Sequence, residues 1–239
     1  MHFPAPPAVR PINRAMGVHP LLSGLVSYWA MDEASGDRAD SKGSNTLTSN
    51  NSVTSTTGKV GSAARFASAS TQYLSRASNS TLQPGNTSYT FACWIRMSVI
   101  SSVMNIVAKS ATGFREYEFL RLGSNKLDWW VYNSSNVGSN ITATSFGATT
   151  TNVWYFVVFG FNAATNKQFI QVNNGTEDSV TPTITPSTTS STFTVGARSQ
   201  LDSSMNGDVD ELGFWSRVLT TAERTTLYNG GAGLGFSSF

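Results

Sequence analysis

Short apolar segments separated by polar turns follow one another along most of the chain, which is the pattern of an all-β protein. Residues 89–97 alternate most clearly, so a strand there would have one apolar face. Residues 154–161 are almost all apolar, which is typical of a strand covered on both faces. Residues 116–122 and 127–132 predict a hairpin joined by a polar turn. The apolar face predicted for 89–97 carries Tyr89, Phe91, Cys93, Ile95 and Met97.

One helix is predicted near the C-terminus. Thr220 and Glu223 have the spacing of a capping box, in which each side chain accepts a hydrogen bond from the other residue's backbone N–H. Leu227 can pack inward, and Asn229-Gly230 provides the stop. Many strands and one short terminal helix favour a sandwich of two sheets over a barrel or a propeller.

The chain length of 239 residues suits one large β domain with an arm. Residues 1–23 are rich in proline and have no periodic apolar face, so they predict an extended N-terminal arm. The sandwich is predicted for residues 24–229, and residues 230–239 are predicted to be a C-terminal tail.

Charged residues make up 13% of the chain, against about 25% in a typical soluble protein, and the net charge is +2. Nucleic-acid binding needs clustered positive charge, which is absent from the sequence. The longest apolar run, 153–161, is about half as long as a membrane-spanning helix. The N-terminus has no apolar stretch of the kind found in secretory signals. We therefore expect no nucleic-acid partner, no membrane insertion, and synthesis in the cytoplasm without a signal peptide.

Cysteine and histidine are almost absent from the predicted domain. Cys93 is the single cysteine, which excludes internal disulfides and a cysteine-based zinc site. Both histidines, His2 and His19, lie in the predicted arm. We therefore expect no histidine-based catalytic dyad and no zinc centre in the sandwich.

Four local motifs follow one another along the chain. They are Gly24-Leu-Val-Ser-Tyr-Trp-Ala-Met-Asp-Glu-Ala-Ser-Gly with Asp40-Ser-Lys-Gly, Gly61-Ser-Ala-Ala-Arg-Phe with Tyr73-Leu, Tyr89-Thr-Phe-Ala-Cys-Trp-Ile-Arg, and Asn206-Gly-Asp-Val-Asp-Glu-Leu-Gly-Phe-Trp-Ser-Arg-Val-Leu-Thr-Thr-Ala-Glu with Leu227-Tyr228. Their order resembles that of the laminin-G-like, concanavalin A-like jelly rolls. The resemblance covers residues 24–228 and implies a two-sheet antiparallel jelly-roll sandwich. It implies less about function, since this fold occurs in lectins, adhesion modules, glycanases and viral coat proteins.

Acidic residues cluster in the first loop and again near the closing strand. Their oxygens are ligands that suit Ca²⁺, and many members of the resembled family bind calcium in such loops. The resemblance implies Asp32, Asp40 and Asp210 as calcium ligands. The alternative is that these carboxylates cap turns or pair with arginines, namely Arg38, Arg65 or Arg217.

Glycan hydrolysis is not expected from the sequence. Retaining glycanases of this fold carry two carboxylates on one strand, in the motif Glu-x-Asp-x-x-Glu. The nearest segment, Asp208-Val-Asp-Glu-Leu-Gly, begins with Asp and ends with Gly213 in place of the second glutamate. Glu116 and Glu118 are interpreted as an exposed pair on one strand face.

Adjacent tryptophans lie on a predicted strand at 129 and 130, so one should point into the sandwich and the other out. An exposed Trp or Tyr on a sheet face can stack on a sugar ring, and nearby Asn side chains can bond its hydroxyls. The candidate glycan-binding residues are therefore Trp129, Trp130, Tyr132 and Asn133. The alternative is that the aromatic residues are ordinary core.

The predicted arm spreads apolar side chains along an extended segment that buries little area by itself. We predict that it anchors the chain to a neighbouring subunit, in a homo-oligomer or a larger assembly. The alternative is a flexible tail or linker. The predicted anchor residues are Phe3, Val9, Ile12, Met16 and Leu21.

Two classes of function follow from these observations. The first, which the sequence favours, is a non-enzymatic structural protein on a particle surface such as a phage virion, either a capsid decoration or a tail or fibre protein, with capsid or tail subunits as partners. The low charge, the lack of disulfides and the arm favour it. The second is a secreted or cell-surface glycan-binding module, favoured by the fold resemblance and the aromatic residues. Calcium is the one cofactor that either class is expected to use.

Overall fold

Segments rich in aromatic and β-branched residues pair into two antiparallel sheets. The computed structural model describes residues 19–99 and 102–239. Strands are numbered in chain order. In spatial order the first sheet contains β13 (Glu177–Val180), β12 (Lys167–Val172), β11 (Trp154–Asn162), β6 (Tyr89–Met97), β15 (Gly207–Trp215), β4 (Ser62–Phe66) and β3 (Thr54–Thr57), and β1 (Leu25–Trp29) pairs with the second half of β15.

The second sheet is built around the predicted hairpin, which the structure confirms. In spatial order this sheet contains β10 (Gly138–Thr142), β9 (Leu127–Tyr132), β8 (Phe114–Arg121), β7 (Met104–Ala111), β14 (Phe193–Val195), β5 (Tyr73–Arg76) and β2 (Thr48–Asn50).

The main core lies between the two sheets, as the alternation along β6 predicts. All five residues of the predicted apolar face of β6 are buried there. Aromatic rings from the two sheets meet face to face, with Phe119 of the second sheet 4.2 Å from Phe159 of the first between ring centroids. The prediction that 154–161 is covered on both faces is also confirmed, since its alternate residues belong to two different apolar clusters.

A second apolar cluster covers the outer face of the first sheet. The helix α1 (Thr221–Tyr228) packs there, and its N-terminus has the predicted capping box of Thr220 and Glu223. The helix ends at Tyr228, and the next residue, Asn229, caps it in a left-handed conformation with a φ of 49°. The C-terminal tail covers the same face with Leu234, Phe236 and Phe239.

The end of the predicted arm belongs to the domain. Pro20–Leu22 form a short 3-10 turn rather than extended chain, and the indole N–H of Trp215 donates to the carbonyl oxygen of Leu21 at 2.7 Å. The Leu21 side chain is 1% exposed, so the prediction that it anchors the chain to a neighbour is wrong. The other predicted anchor residues lie outside the described residues. Within residues 19–99 and 102–239, no helix is long and apolar enough to cross a membrane.

Candidate functional site

The predicted glycan-binding residues lie on β9 of the second sheet and just after it. The two tryptophans of β9 point to opposite faces of the sheet, as the period of a strand requires. Trp129 points inward, is fully buried, and donates its indole N–H to the Gly160 carbonyl oxygen at 3.1 Å. Trp130 points outward and is half-buried. One tryptophan of the pair is therefore core, as expected, and the assignment of Trp129 to a glycan site is wrong.

The Trp130 ring is held in a fixed orientation. It stacks on Tyr132, with ring centroids 5.8 Å apart and planes inclined by 16°. Its indole N–H donates to the carboxylate of Asp128. The neighbouring strand β10 approaches closely, because a Cβ at Gly138 would lie 2.6 Å from Tyr132 and 2.8 Å from Trp130. A ring fixed in this way loses little side-chain entropy when it stacks on a ligand.

Asp128 lies buried beneath Trp130 and holds its indole N–H. This residue was not predicted from the sequence as part of the site. It is fully buried and also accepts hydrogen bonds from Thr142 Oγ1 at 2.6 Å and from the Asn140 amide nitrogen at 3.1 Å. Burial raises the pKa of its carboxyl, although these side-chain donors act in the opposite direction. Asp128 therefore positions Trp130 and does not face solvent.

Tyr132 and Asn133 support the site and offer a ligand little surface. Tyr132 is 3% exposed, and its hydroxyl donates to Glu118 Oε2 at 3.1 Å. Asn133 Oδ1 accepts the backbone N–H groups of Ser135 and Val137, at 3.0 and 2.9 Å, and so closes the turn between β9 and β10. The structure thus separates the predicted glycan-binding residues into one ring that a ligand can reach and neighbours that position it.

Glu116 and Glu118 are buried, so the prediction of an exposed pair is wrong. They also have different partners, because β7 and β8 change register between Lys109 and Ser110. Glu116 pairs with the fully buried Lys109 at 3.1 Å. Glu118 accepts a hydrogen bond from Ser110 Oγ at 2.6 Å. Neither carboxylate is placed to act on a ligand as half of a catalytic pair.

The acidic loop residue Asp40 caps a turn, which is the alternative that the sequence left open. Its Oδ1 accepts the backbone N–H groups of Tyr28, Lys42 and Gly43, and its Oδ2 accepts that of Asn45, at 2.9–3.0 Å. Partial burial raises the pKa of this carboxyl, but the four backbone donors outweigh burial and lower the pKa overall. Both carboxylate oxygens of Asp40 therefore accept hydrogen bonds from the surrounding backbone.

Asp210 and its neighbour Glu211 form a buried acidic pair beneath the C-terminal tail. Asp210 Oδ2 accepts the backbone N–H groups of Lys59 and Val60, at 2.7 and 2.9 Å. Within the described part of the chain, Asp210 Oδ1 and Glu211 Oε2 are buried without a hydrogen-bond partner. Burial, helped by the nearby negative charge of Asp32, raises the pKa of Asp210 to about 7 and that of Glu211 to about 8.

Asp32 lies at the edge of the same region. Its Oδ1 accepts the backbone N–H of Ser62 at 2.7 Å. A cavity of about 250 Å³ is lined by Asp32 and Glu211, together with Phe236 of the tail. Over residues 19–99 and 102–239, no three acidic, histidine or cysteine side chains converge in an arrangement ready to hold a metal ion.

The segment 208–213 of β15, which most resembles a glycanase motif, begins with an acid that forms two ion pairs. Asp208 is fully buried and contacts Arg65 Nε and Arg96 Nε, each at 2.7 Å. This is the arginine pairing that the sequence offered as an alternative for the acidic residues. The position of the second acid is occupied by Gly213, where a Cβ would lie 2.3 Å from the Trp215 ring. The strand thus has no room for that side chain.

Comparison with known proteins bears out the fold and the resemblance. A laminin G-like sequence model of the concanavalin A-like lectin/glucanases superfamily matches residues 68–223. The chain belongs to this superfamily. Among curated proteins, no sequence matches this superfamily member significantly.

Solved structures of low sequence identity share the jelly roll. The superfamily member is similar to the binding domain of Paraclostridial Mosquitocidal Protein 1, with TM-score 0.70 and 15% identity over 88% of this chain and 53% of that chain. It is similar to the binding domain of botulinum neurotoxin DC in complex with SialylT, with TM-score 0.65 and 13% identity over 87% and 52%. It is also similar to domain 4 of AbnA, a GH43 extracellular arabinanase from Geobacillus stearothermophilus, in complex with arabinotriose, with TM-score 0.63 and 17% identity over 85% and 98%.

The chain spans about half the length of the two toxin domains and nearly all of the arabinanase domain. The shared feature is a concanavalin A-like jelly roll of the kind found in binding domains. At sequence identities below 20%, the similarity establishes the fold alone.

Proposed function

We propose that this chain is a non-catalytic carbohydrate-binding module, and that its site is the outer face of the second sheet. The observation that carries the proposal is Trp130, a half-exposed indole fixed by Asp128 and stacked on Tyr132. A planar apolar face beside polar side chains is the arrangement that binds one face of a sugar ring. The outer face of the first sheet is largely covered by α1 and the tail, and its half-buried indole, Trp154, has the Arg96 guanidinium 4.6 Å from its ring centroid.

The relatives support the same class of function. Two of the similar structures hold SialylT or arabinotriose, and two are described as binding domains. Catalysis is not part of the proposal, because Asp208 is neutralised by two arginines and Gly213 replaces the second acid. A binding role requires neither of these groups to act as an acid or a base.

Trp130→Ala tests the proposal on a glycan array and then by calorimetry with the strongest hit. Loss of the stacking contact should weaken glycan binding by about tenfold or more, since an aromatic contact contributes roughly 0.5–1.5 kcal/mol beyond its buried area and about 1.4 kcal/mol is tenfold. Trp154→Ala is the matched control, because Trp154 is also half-buried but lies on the first sheet. Equal binding by wild type and Trp130→Ala would contradict the proposal.

A place on the surface of a virion or another particle, with capsid or tail subunits as partners, stays a separate prediction. It depends on the anchor residues Phe3, Val9, Ile12 and Met16, which lie outside the described residues. The carbohydrate-binding proposal does not depend on it.

A further inference from the structure

Arg115 stands next to the proposed glycan site and provides a positive charge there. Its guanidinium carbon lies 5.5 Å from the centroid of the Tyr132 ring, which in turn stacks on Trp130. Its backbone N–H donates to Asn136 Oδ1 at 3.2 Å, which ties the start of β8 to the turn between β9 and β10. Arg115, Tyr132 and Trp130 therefore form one connected series of side chains on the open sheet.

The Arg115 guanidinium forms no ion pair with a carboxylate of the described residues, although its charge interacts with the Tyr132 ring and, at longer range, with Asp202. Among residues 19–99 and 102–239, no carboxylate oxygen lies within 4.0 Å of its guanidinium, and its Nε is buried without an acceptor. Arg198, the other arginine near this face, differs because it is paired with Asp202 at 2.5 Å.

The acidic groups around the site are already engaged, so they leave Arg115 available. Glu118 is buried and contacts Ser110, Tyr132 and, at 3.6 Å, Arg198. Asp128 is fully buried and accepts hydrogen bonds from Trp130, Thr142 and Asn140. Neither carboxylate contacts the Arg115 guanidinium.

We propose that the module binds anionic saccharides, with a sugar ring against Trp130 and a carboxylate or sulfate group against Arg115. The planar guanidinium fork matches a carboxylate or a sulfate in two parallel hydrogen bonds. This inference rests on the proposed carbohydrate-binding function and adds the class of ligand.

The test compares acidic glycans with their neutral parents. Wild-type protein is assayed on an array of neutral, sialylated, uronate-containing and sulfated oligosaccharides, and the best acidic ligand is then titrated beside the same saccharide without its acidic group. A hydrogen bond to a charged group contributes about 1.5–3 kcal/mol, so the acidic ligand should bind roughly tenfold to a hundredfold more tightly. Added NaCl should weaken binding of the acidic ligand alone. The sialylated, uronate and sulfated arms reveal which acidic group is preferred.

Arg115→Gln should remove the preference for the acidic ligand and leave binding of the neutral parent unchanged. Arg76→Gln is the matched control, because Arg76 is also half-buried with an unpartnered Nε but lies on β5, three strands away in the same sheet. Equal melting temperatures of the two variants ensure that both are folded.

The possible failures can be told apart. Binding of neutral and acidic ligands with equal affinity, still lost in Trp130→Ala, overturns the anionic preference and leaves the carbohydrate-binding function standing. A preference that survives Arg115→Gln overturns the role of Arg115. The absence of any glycan binding by the wild type overturns both proposals.

Discussion

Trp129 and Trp130 are adjacent in the chain but have different roles: Trp129 belongs to the core, and Trp130 belongs to the proposed binding site. The strand period places their side chains on opposite faces of the second sheet. Trp129 therefore packs against Phe159, at 4.8 Å between ring centroids, while Trp130 faces outward. The sequence predicted that the two would differ, but the prediction did not say which was buried. The alternation of the strand carries that signal, because Leu127 and Val131 share the face of Trp129, whereas Asp128 shares the face of Trp130.

Calcium binding by Asp32 and Asp210 stays a prediction at the residue scale, and Asp40 is occupied by four backbone N–H groups. We expect millimolar calcium to raise the melting temperature at pH 8, because an ion that binds the native state alone stabilises it. Asp210→Asn should abolish the shift. Identical melting curves with calcium and with a chelator would show that no ion binds these residues.

At the scale of the element, β15 departs from regular strand geometry where its acidic pair lies. Its pairing with β6 changes register between Asp210 and Gly213, and Glu211 has a φ of 50°. In a regular strand consecutive side chains point to opposite faces. At the bulge, Glu211 turns under the C-terminal tail, where its Oε1 lies 3.2 Å from the Cβ position of Gly235, and Asp210 points to the backbone of Lys59 and Val60.

This acidic pair predicts a stability that falls as the pH rises. Asp210 and Glu211 have native-state pKa values of about 7 and about 8, whereas unfolded carboxyls titrate near pH 4. The native state then holds protons that the unfolded chain releases, so the free energy of unfolding falls between about pH 4 and pH 8. At about 1.4 kcal/mol per pKa unit, shifts of roughly three to four units in each carboxyl total at most on the order of 10 kcal/mol.

Thermal melting from pH 5 to pH 9 measures this dependence. Asp210→Asn should flatten the curve and raise the melting temperature at pH 8, because an amide mimics the protonated acid. Asp37→Asn, which replaces an exposed carboxylate, should follow the wild-type curve. A wild-type melting temperature that rises steadily from pH 5 to pH 8 is incompatible with the protonated pair.

Elements differ in how far their sequences reveal them. β6, the hairpin of β8 and β9, and α1 could be predicted, because alternation and capping are local signals. β2, β3 and β10 could not, because they are short, rich in Ser and Thr, and lie at or near sheet edges. Their strand conformation depends on pairing with a neighbour, which no local pattern shows.

At the scale of the whole molecule, the two sheets differ in what covers them. Leu21, α1 and the tail cover the outer face of the first sheet. The segments that precede and follow the sandwich in the sequence therefore pack together on this face. His19 and Phe239 stack there, with ring centroids 5.7 Å apart. Among residues 19–99 and 102–239, no second apolar cluster covers the outer face of the second sheet, and this contrast supports the proposed position of the glycan site.

The arm prediction can be tested without disturbing this packing. Residues 1–18 can be deleted while Pro20–Leu22 stay in place, because Leu21 belongs to the core of the second cluster. If the arm anchors the chain to neighbouring subunits, the deletion should raise the elution volume on gel filtration and abolish docking. An unchanged elution volume together with unchanged partner binding would contradict the anchoring role.

The sequence by itself determined that the chain is a two-sheet sandwich with a capped terminal helix, and which residues of β6 form its core. These features follow from side-chain periodicity and local hydrogen bonds. Only the tertiary structure decided that α1 and the tail pack on the first sheet, that Glu116 and Glu118 are buried, and that within residues 19–99 and 102–239 Arg115 has no carboxylate within 4.0 Å. Those facts depend on contacts between residues far apart in the chain.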